Sequence, residues 1–528
     1  MKNIKLLMVL SMVLLLFGCD VDYKDNPNEP TSVPTSTIFN NTLKNLVDNT
    51  RNGFSAGRFT YCTMQYWQQS EYGDEDRYVY RESMRQNQNN LYNRLANFKE
   101  IIDLNTGEDT KALAAASGSN ANQIAVCRIM MAYTFDYMAS TWGDIPYYSY
   151  GSDNPDFQAL HVSGYPVEEQ ILSPKYATQE QIYTDILKEL SESAKQLDPN
   201  SPGMAGDNLY GGDVQKWKLF ANSLRLRIAN KIKGANPSLA QAAMNEALAS
   251  GVFTSNADNA MFGYESEDKN ASMMYRAWHV NNRSDFAIGH SFMTLLKGEN
   301  LVDTATHVNV VAGANPNPFK GMVDPRLPIY AKPNSKGNYV GMFIAESSSD
   351  AATFTYESLP GAAIIDDPTY SETLLEYAEI CFILSELNNW DQGWYEKGIR
   401  ASMEKWGVAS DAIDAYIAAV PAASEENVLT QKYIALYMQG QASWAEYRRT
   451  GYPKTLIPPF KDYALYIPSE DRWLNKAFNP LVKEVTDLPY RMRYPAQEQT
   501  LNGDNRKEAV SRLENGDVIY SKLWWDVN

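Results

Sequence analysis

Cysteine is scarce in this chain of 528 residues: Cys19, Cys62, Cys127 and Cys381 are the full set. Their wide spacing forms no C-x-x-C pair and reads neither as a disulfide framework nor as a thiolate metal site. Histidine is as sparse. His161, His279, His290 and His307 give no H-E-x-x-H or comparable ligand spacing, so we expect no zinc site and assign no metal or cofactor. Positive charge is also short, with 47 Lys and Arg against 64 Asp and Glu and a net charge of -17. Phosphate neutralisation needs a basic face, and no basic run is present, which speaks against a nucleic-acid partner. Neither a P-loop nor a G-x-G-x-x-G turn opens a helix. Long apolar runs are missing after residues 6–17, and that run falls short of the about 20 residues that span a bilayer.

The one apolar run has another reading. Lys2 and Lys5 precede it, and it closes on Leu16-Phe17-Gly18-Cys19, which looks like a bacterial lipobox. Residues 1–18 are then a lipoprotein signal peptide, and Cys19 is the acylated residue that holds the chain to outer-membrane lipid. Asp20 and Asp22 resemble the acidic signal that sends such lipoproteins to the cell surface. Residues 19–34, with Pro27, Pro30 and Pro34, read as a tether, extended by roughly 3.1 Å per residue where polyproline-like. Cys127 and Cys381 lie in helical apolar patterns and read as small buried hydrophobes.

Helical periodicity dominates the chain beyond the tether. Residues 38–48 form the first such run, and 120–141 carry Ile124, Cys127, Met131, Phe135 and Met138 at helical spacing. Thr178 with Gln181 reads as a capping box ahead of Ile182, Ile186 and Leu190. Trp217, Phe220, Leu224 and Ile228 mark a helix over 214–232, with Arg225 and Lys231 off its stripe, and 238–250 is a further, Ala-rich one. Residues 370–387 and 393–406 read as a helical hairpin. Residues 431–453 read as two short helices, the first ending on Gly440 as a left-handed cap and the second on Gly451 and Pro453. Arg448 and Arg449 stand there among Trp444 and Tyr447, a setting suited to pinning carbonyls and carboxylates as a structural knot. Between 251 and 366 the periodicity thins into a loop-rich lobe, apart from a short helix over 286–297.

Aromatic residues are plentiful, with 34 Tyr and 11 Trp. Two stretches combine them with polar edges. Residues 61–80 hold Tyr66, Trp67, Tyr72, Tyr78 and Tyr80 beside Gln68, Gln69 and the acids Asp74, Glu75 and Asp76. Residues 264–283 hold Tyr264, Tyr275 and Trp278 beside Arg276, His279 and Arg283. Rings of this kind pack on sugar C–H faces while amide, guanidinium and carboxylate edges bond hydroxyls. If the two stretches converge, Trp67, Tyr72, Tyr78, Tyr275, Arg276, Trp278 and Arg283 form a shallow ligand-binding arc. The plainer alternative makes the rings core and the acids a solvated loop; the acids lack the D-x-D-x-D-G spacing of a calcium loop. Gly53-Phe54-Ser55-Ala56-Gly57 matches the nucleophile-elbow pattern, but no buried strand precedes it, and no catalytic residue is assigned.

Several stretches carry a resemblance. TWGDIPYY at 141–148, DPRLPIY at 324–330, YAEICFILSEL at 377–387, Gln431, Trp444 with EYRRTGYP at 446–453, and YRMRYPAQEQTLN at 490–502 resemble, in order, signatures of the SusD-like (SusD/RagB) family of surface nutrient-binding lipoproteins. The resemblance implies a mainly α body over 35–528 on a tetratricopeptide-like scaffold of helix pairs, with the loop-rich lobe near 251–366 inserted. It implies a lipoprotein at the cell outer membrane that captures an oligosaccharide or similar nutrient without catalysis. It also implies delivery to a SusC-like TonB-dependent transporter. A surface glycoside hydrolase and a peptide-binding member of the same family are the alternatives.

Overall fold

Periodicity becomes structure where the helix ends are tied off. Thr178 accepts a hydrogen bond from the Gln181 N–H while the Gln181 side chain accepts from the Thr178 N–H, the expected capping box. Asp213, Asn236, Asp391 and Ser424 each accept from the N–H three residues on. These bonds satisfy donors that a helix start otherwise leaves open. The computed structural model describes residues 33–162 and 164–527. Cys19, the signal peptide and most of the tether lie outside the described residues.

The helices of ten or more residues are α1 Thr35–Arg51, α2 Asn87–Thr106, α3 Asn120–Trp142, α4 Gln179–Gln196, α5 Val214–Ile232, α6 Pro237–Ser250, α7 Tyr377–Leu387, α8 Gln392–Lys405, α9 Ser410–Ala419, α10 Glu425–Ala435 and α11 Gly440–Thr450. They pack largely as neighbours in sequence: α1 on α2, α2 on α3, α3 on α4, α4 on α5, α5 on α6, then α7 on α8 and α10. Such a succession is the helix-pair scaffold expected of a mainly α body. In α3 every residue from Asn122 to Trp142 is buried, because α2, α4 and α5 all lie against it. Its apolar residues therefore run all round rather than along one stripe.

Strands are short and come in antiparallel pairs. β1 Trp67–Gln69 pairs with β2 Phe286–Ile288, and β3 Asp462–Ile467 forms a hairpin with β4 Arg472–Ala477. A small satellite core of Met342, Phe343, Phe354, Leu465 and Ile467 sits under that hairpin.

Three local expectations are corrected. Leu374 belongs to a strand, Glu372–Leu375, paired with Ala260–Phe262, so the helix begins only at Tyr377. Residues 286–288 are likewise strand, and the helix there is His290–Leu296. Gly440 opens α11 instead of capping α10; Met438 takes the left-handed turn, at φ 67°. Glycine is needed at 440 because a Cβ would stand 2.5 Å from Thr60 Oγ1 and 2.6 Å from the Tyr61 ring. Arg225 and Lys231 are buried, paired with Glu246 and Asp136 on neighbouring helices.

Candidate functional site: an exposed aromatic and guanidinium stack

Two segments more than 200 residues apart meet at the ladder between β1 and β2. Its register sets Trp67 opposite Ile288 and Gln69 opposite Phe286, and the Ser70 N–H donates to the Asp285 carbonyl at 2.8 Å. The loop leaving β1 and the loop entering β2 therefore emerge side by side. Beneath them Trp67, Phe286 and Trp278 pack with ring centroids 5.4 to 6.1 Å apart. Gly57 permits this floor, since a Cβ there would lie 2.7 Å from the Phe286 ring. The segments Gly53–Tyr61 and Arg276–Val280 that flank the ladder are both π-helices, a rare form that recurs at functional sites. Ser55, in the first of them, follows a helix rather than a strand, so it is no nucleophile elbow.

The same packing decides which rings are free. Trp67 is fully buried, donates its indole N–H to the Tyr437 hydroxyl at 2.8 Å and meets Tyr61 edge to face. Tyr78 is buried against Phe478 at 5.5 Å. Both are corrections to the expected arc: β1 is covered on both faces, and the chain after the hairpin covers Tyr78. Tyr72 stands out instead, 44% exposed at φ 55°. The loop behind it is pinned, because the Gly73 N–H donates to Ser348 Oγ at 2.9 Å and a Cβ on Gly73 would meet the Glu346 carbonyl at 2.4 Å.

Around Tyr72 the side chains form a stack. The buried Arg58 guanidinium lies 5.0 Å from the Tyr72 ring and 5.1 Å from the Phe54 ring, and Arg283 lies 5.5 Å from Tyr72. Asp285 holds both cations, accepting from Arg58 Nη2 and from Arg283 Nη2 at 2.7 Å each. Phe54, 46% exposed, thus joins Tyr72 in one surface. Sequence reading missed it, because no local pattern signals a π-helix.

The remaining candidates border this stack. The Arg283 N–H donates to the Ala277 carbonyl at 2.7 Å, which ties the Arg283 loop to the turn bearing Tyr275, Arg276 and Trp278, all half-buried. Tyr275 packs on His279 at 4.8 Å, and His279 Nε2 meets Asp366 at 3.0 Å. Trp278 Nε1 and Arg276 Nε are buried N–H donors without a protein acceptor among the described residues. Such donors are costly unless something accepts from them.

Two of the three acids depart from the solvated loop of the plainer alternative. Asp76 is buried and accepts from the Gln69 N–H at 2.7 Å and from its side-chain amide at 2.9 Å, while burial pushes its carboxyl up to about 6. Glu75 is buried and paired with Arg81 at 2.5 Å, and Asp74 alone of the three is exposed. Among the described residues no group of three His, Cys, Asp or Glu is placed to hold a metal ion.

A family model described as "Starch-binding associating with outer membrane" (SusD-like) matches residues 27–464, and a second, for SusD and RagB outer membrane lipoproteins, matches residues 422–526. The chain belongs to the SusD-like family. Similar solved structures include a SusD homologue from Parabacteroides distasonis, 22% identical over 94% of this chain and 97% of that one with a TM-score of 0.72. A protein described as chitin-binding is 23% identical over 94% and 100%, with a TM-score of 0.70. A chitin-binding SusD homologue from Flavobacterium johnsoniae is 20% identical over 93% and 99%, with a TM-score of 0.69. No curated protein matches. The family is one of outer-membrane lipoproteins, and no described helix is long and apolar enough to cross a membrane.

The SusD-like signatures build the frame rather than the Tyr72 surface. Arg326 of DPRLPIY donates to Asp324 at 2.6 Å and to Gln431 at 2.7 Å. Arg491 of YRMRYP donates to the Trp142 carbonyl of TWGDIPYY at 2.8 Å. Arg448 donates to the carbonyls of Ser140 and Tyr490 at 2.8 and 2.7 Å. Segments hundreds of residues apart are thereby locked to one another, while Tyr72 and Arg283 lie outside every one of them.

Proposed function

We propose that this SusD-like protein captures an oligosaccharide at the cell surface, without catalysis, and passes it to a SusC-like TonB-dependent transporter. In this reading residues 1–18 are removed, Cys19 is acylated, residues 19–34 are the tether and 35–528 are one binding body. The observation that carries it is the pair of exposed rings Phe54 and Tyr72 with the exposed Arg283, mounted on the buried Arg58 guanidinium. Exposed rings suit sugar faces, and fixed donors suit hydroxyls. The nearby acids Glu75, Asp76 and Asp285 are each engaged by Arg or Gln, which favours binding over acid and base work.

Two similar structures are described as chitin-binding, so chitohexaose is the first ligand to try, within a glycan array that also carries peptide pools. Calorimetry on the parent, Tyr72→Ala and Arg283→Ala decides the site. Affinity unchanged in both folded variants refutes it, and turnover of the glycan by the parent refutes the non-catalytic reading. Acylation is read from membrane release of Cys19→Ala, and the transporter from co-purification out of native membranes.

A further inference from the structure

The hairpin of β3 and β4 carries a second group of exposed rings. Tyr466 and Trp473 are directly opposed across the strands with centroids 5.1 Å apart, and each is 38% exposed. A cross-strand pair can serve hairpin stability alone, and two rings suffice for that. The third ring comes from elsewhere in the chain. His307 stacks on Trp473 at 4.7 Å with the planes 12° apart, holds a left-handed φ of 55°, and sets its Nε2 3.1 Å from Asn475 Oδ1. The His307 ring arrives from a turn outside the hairpin, closed by the His307 N–H donating to the Asp303 carbonyl, and the cross-strand pair does not need it for its own stability.

Beside the rings opens a pocket of about 180 Å³, whose polar lining includes Lys297, Glu299, Asn300 and Tyr339. Pockets for drug-sized ligands start at about 300 Å³, so this one is scaled to a single ring. Its charge is balanced, since Lys297 Nζ lies 2.9 Å from Glu299, which suits a neutral guest with hydroxyl edges. The hairpin is also tied to the Tyr72 loop through one short segment: Lys476 pairs with Glu346 at 3.0 Å, and Ser348 accepts from Gly73.

We propose that Trp473, Tyr466 and His307, with the pocket beside them, form a second carbohydrate site that takes one neutral sugar ring of an oligosaccharide chain. The proposal rests on the carbohydrate reading of the Tyr72 surface. It is tested by fluorine NMR of the full protein labelled with 5-fluorotryptophan, the Trp473 signal being assigned by its loss in Trp473→Phe. The probes are chitohexaose, maltohexaose and xylohexaose. We expect at least one to shift the Trp473 signal and to do so still in the Tyr72→Ala, Arg283→Ala double variant. His307→Ala, which leaves the hairpin pair intact, should weaken that binding roughly threefold. A Trp473 signal unmoved by a hexasaccharide that binds at Tyr72 refutes the hairpin site alone. So does a shift that vanishes in the double variant. Hexasaccharides that bind nowhere refute this site and the carbohydrate reading together.

Discussion

Arg448 and Arg58 are both buried guanidinium groups packed on aromatic rings, yet they belong to different kinds of structure. Arg448 lies 3.4 Å from the Trp444 ring and 4.7 Å from that of Trp525, and both rings are buried. Its Nη1 donates to main-chain carbonyls of two distant segments, so it joins the scaffold. Arg58 lies between Phe54 and Tyr72, whose rings face solvent, and its donors go to Asp285. It is a mount for a surface. The chemistry of the arginine is the same in both places, and the exposure of its rings tells a strut from a site.

The contrast breaks most sharply under substitutions at the strut. Arg449 donates to Glu386 at 2.8 Å through both terminal nitrogens and also pairs with Glu446. Arg449→Ala leaves the largely buried carboxylates of Glu386 and Glu446 with only Lys233 and Lys432 as partners and should cost up to about 3 kcal/mol of stability in denaturant unfolding. Trp67→Ala, which opens a cavity under the ladder, should cost at least as much. Glycan affinity of folded Arg449→Ala should match the parent; loss of affinity at parental stability would erase the distinction.

Asp76 probes the base of the surface through pH. Burial raises its folded value to about 6, above the roughly 3.9 of an unfolded chain, so the folded state binds the proton more tightly. Its stabilising contribution is therefore present below about pH 4 and is lost as pH rises through about 6, by up to about 3 kcal/mol. Melting curves of Asp76→Asn between pH 4 and 7 should be flatter than those of the parent. Equal slopes would place the titration elsewhere.

Gly440→Ala forces a Cβ against Thr60 and Tyr61 at the start of α11, and overpacking of this kind costs about 1 to 3 kcal/mol. Calorimetric melting without any loss would mean that the two helices slide apart freely. The smallest effect is expected at the surface itself. Tyr72→Ala should weaken glycan binding by about 0.5 to 1.5 kcal/mol and leave the melting temperature near the parent's. A large drop in stability would make Tyr72 another strut.

The helix over 214–232, the Thr178 capping box and the helix stop at Gly451 were legible because each depends on residues within a turn or two. The strands at 286–288 and 372–375 were not, since their partners lie far off in sequence and their own apolar character fits a helix equally well. The convergence of the two aromatic stretches was legible in outline, from their shared departure from periodicity. Which rings would face outward was not.

Local order by itself determined the positions of most of the helices, and the resemblance of the quoted stretches pointed to the SusD-like family and its mainly α body. The helix positions are properties of short-range spacing. Tertiary structure alone decided that Trp67 and Tyr78 are core while Tyr72 and Phe54 are surface, and that Asp76 is buried while Asp74 is not. Burial of a ring depends on what the distant chain lays over it. Here β2 and the chain after the β3–β4 hairpin supply that cover, and no pattern near residue 72 records their arrival.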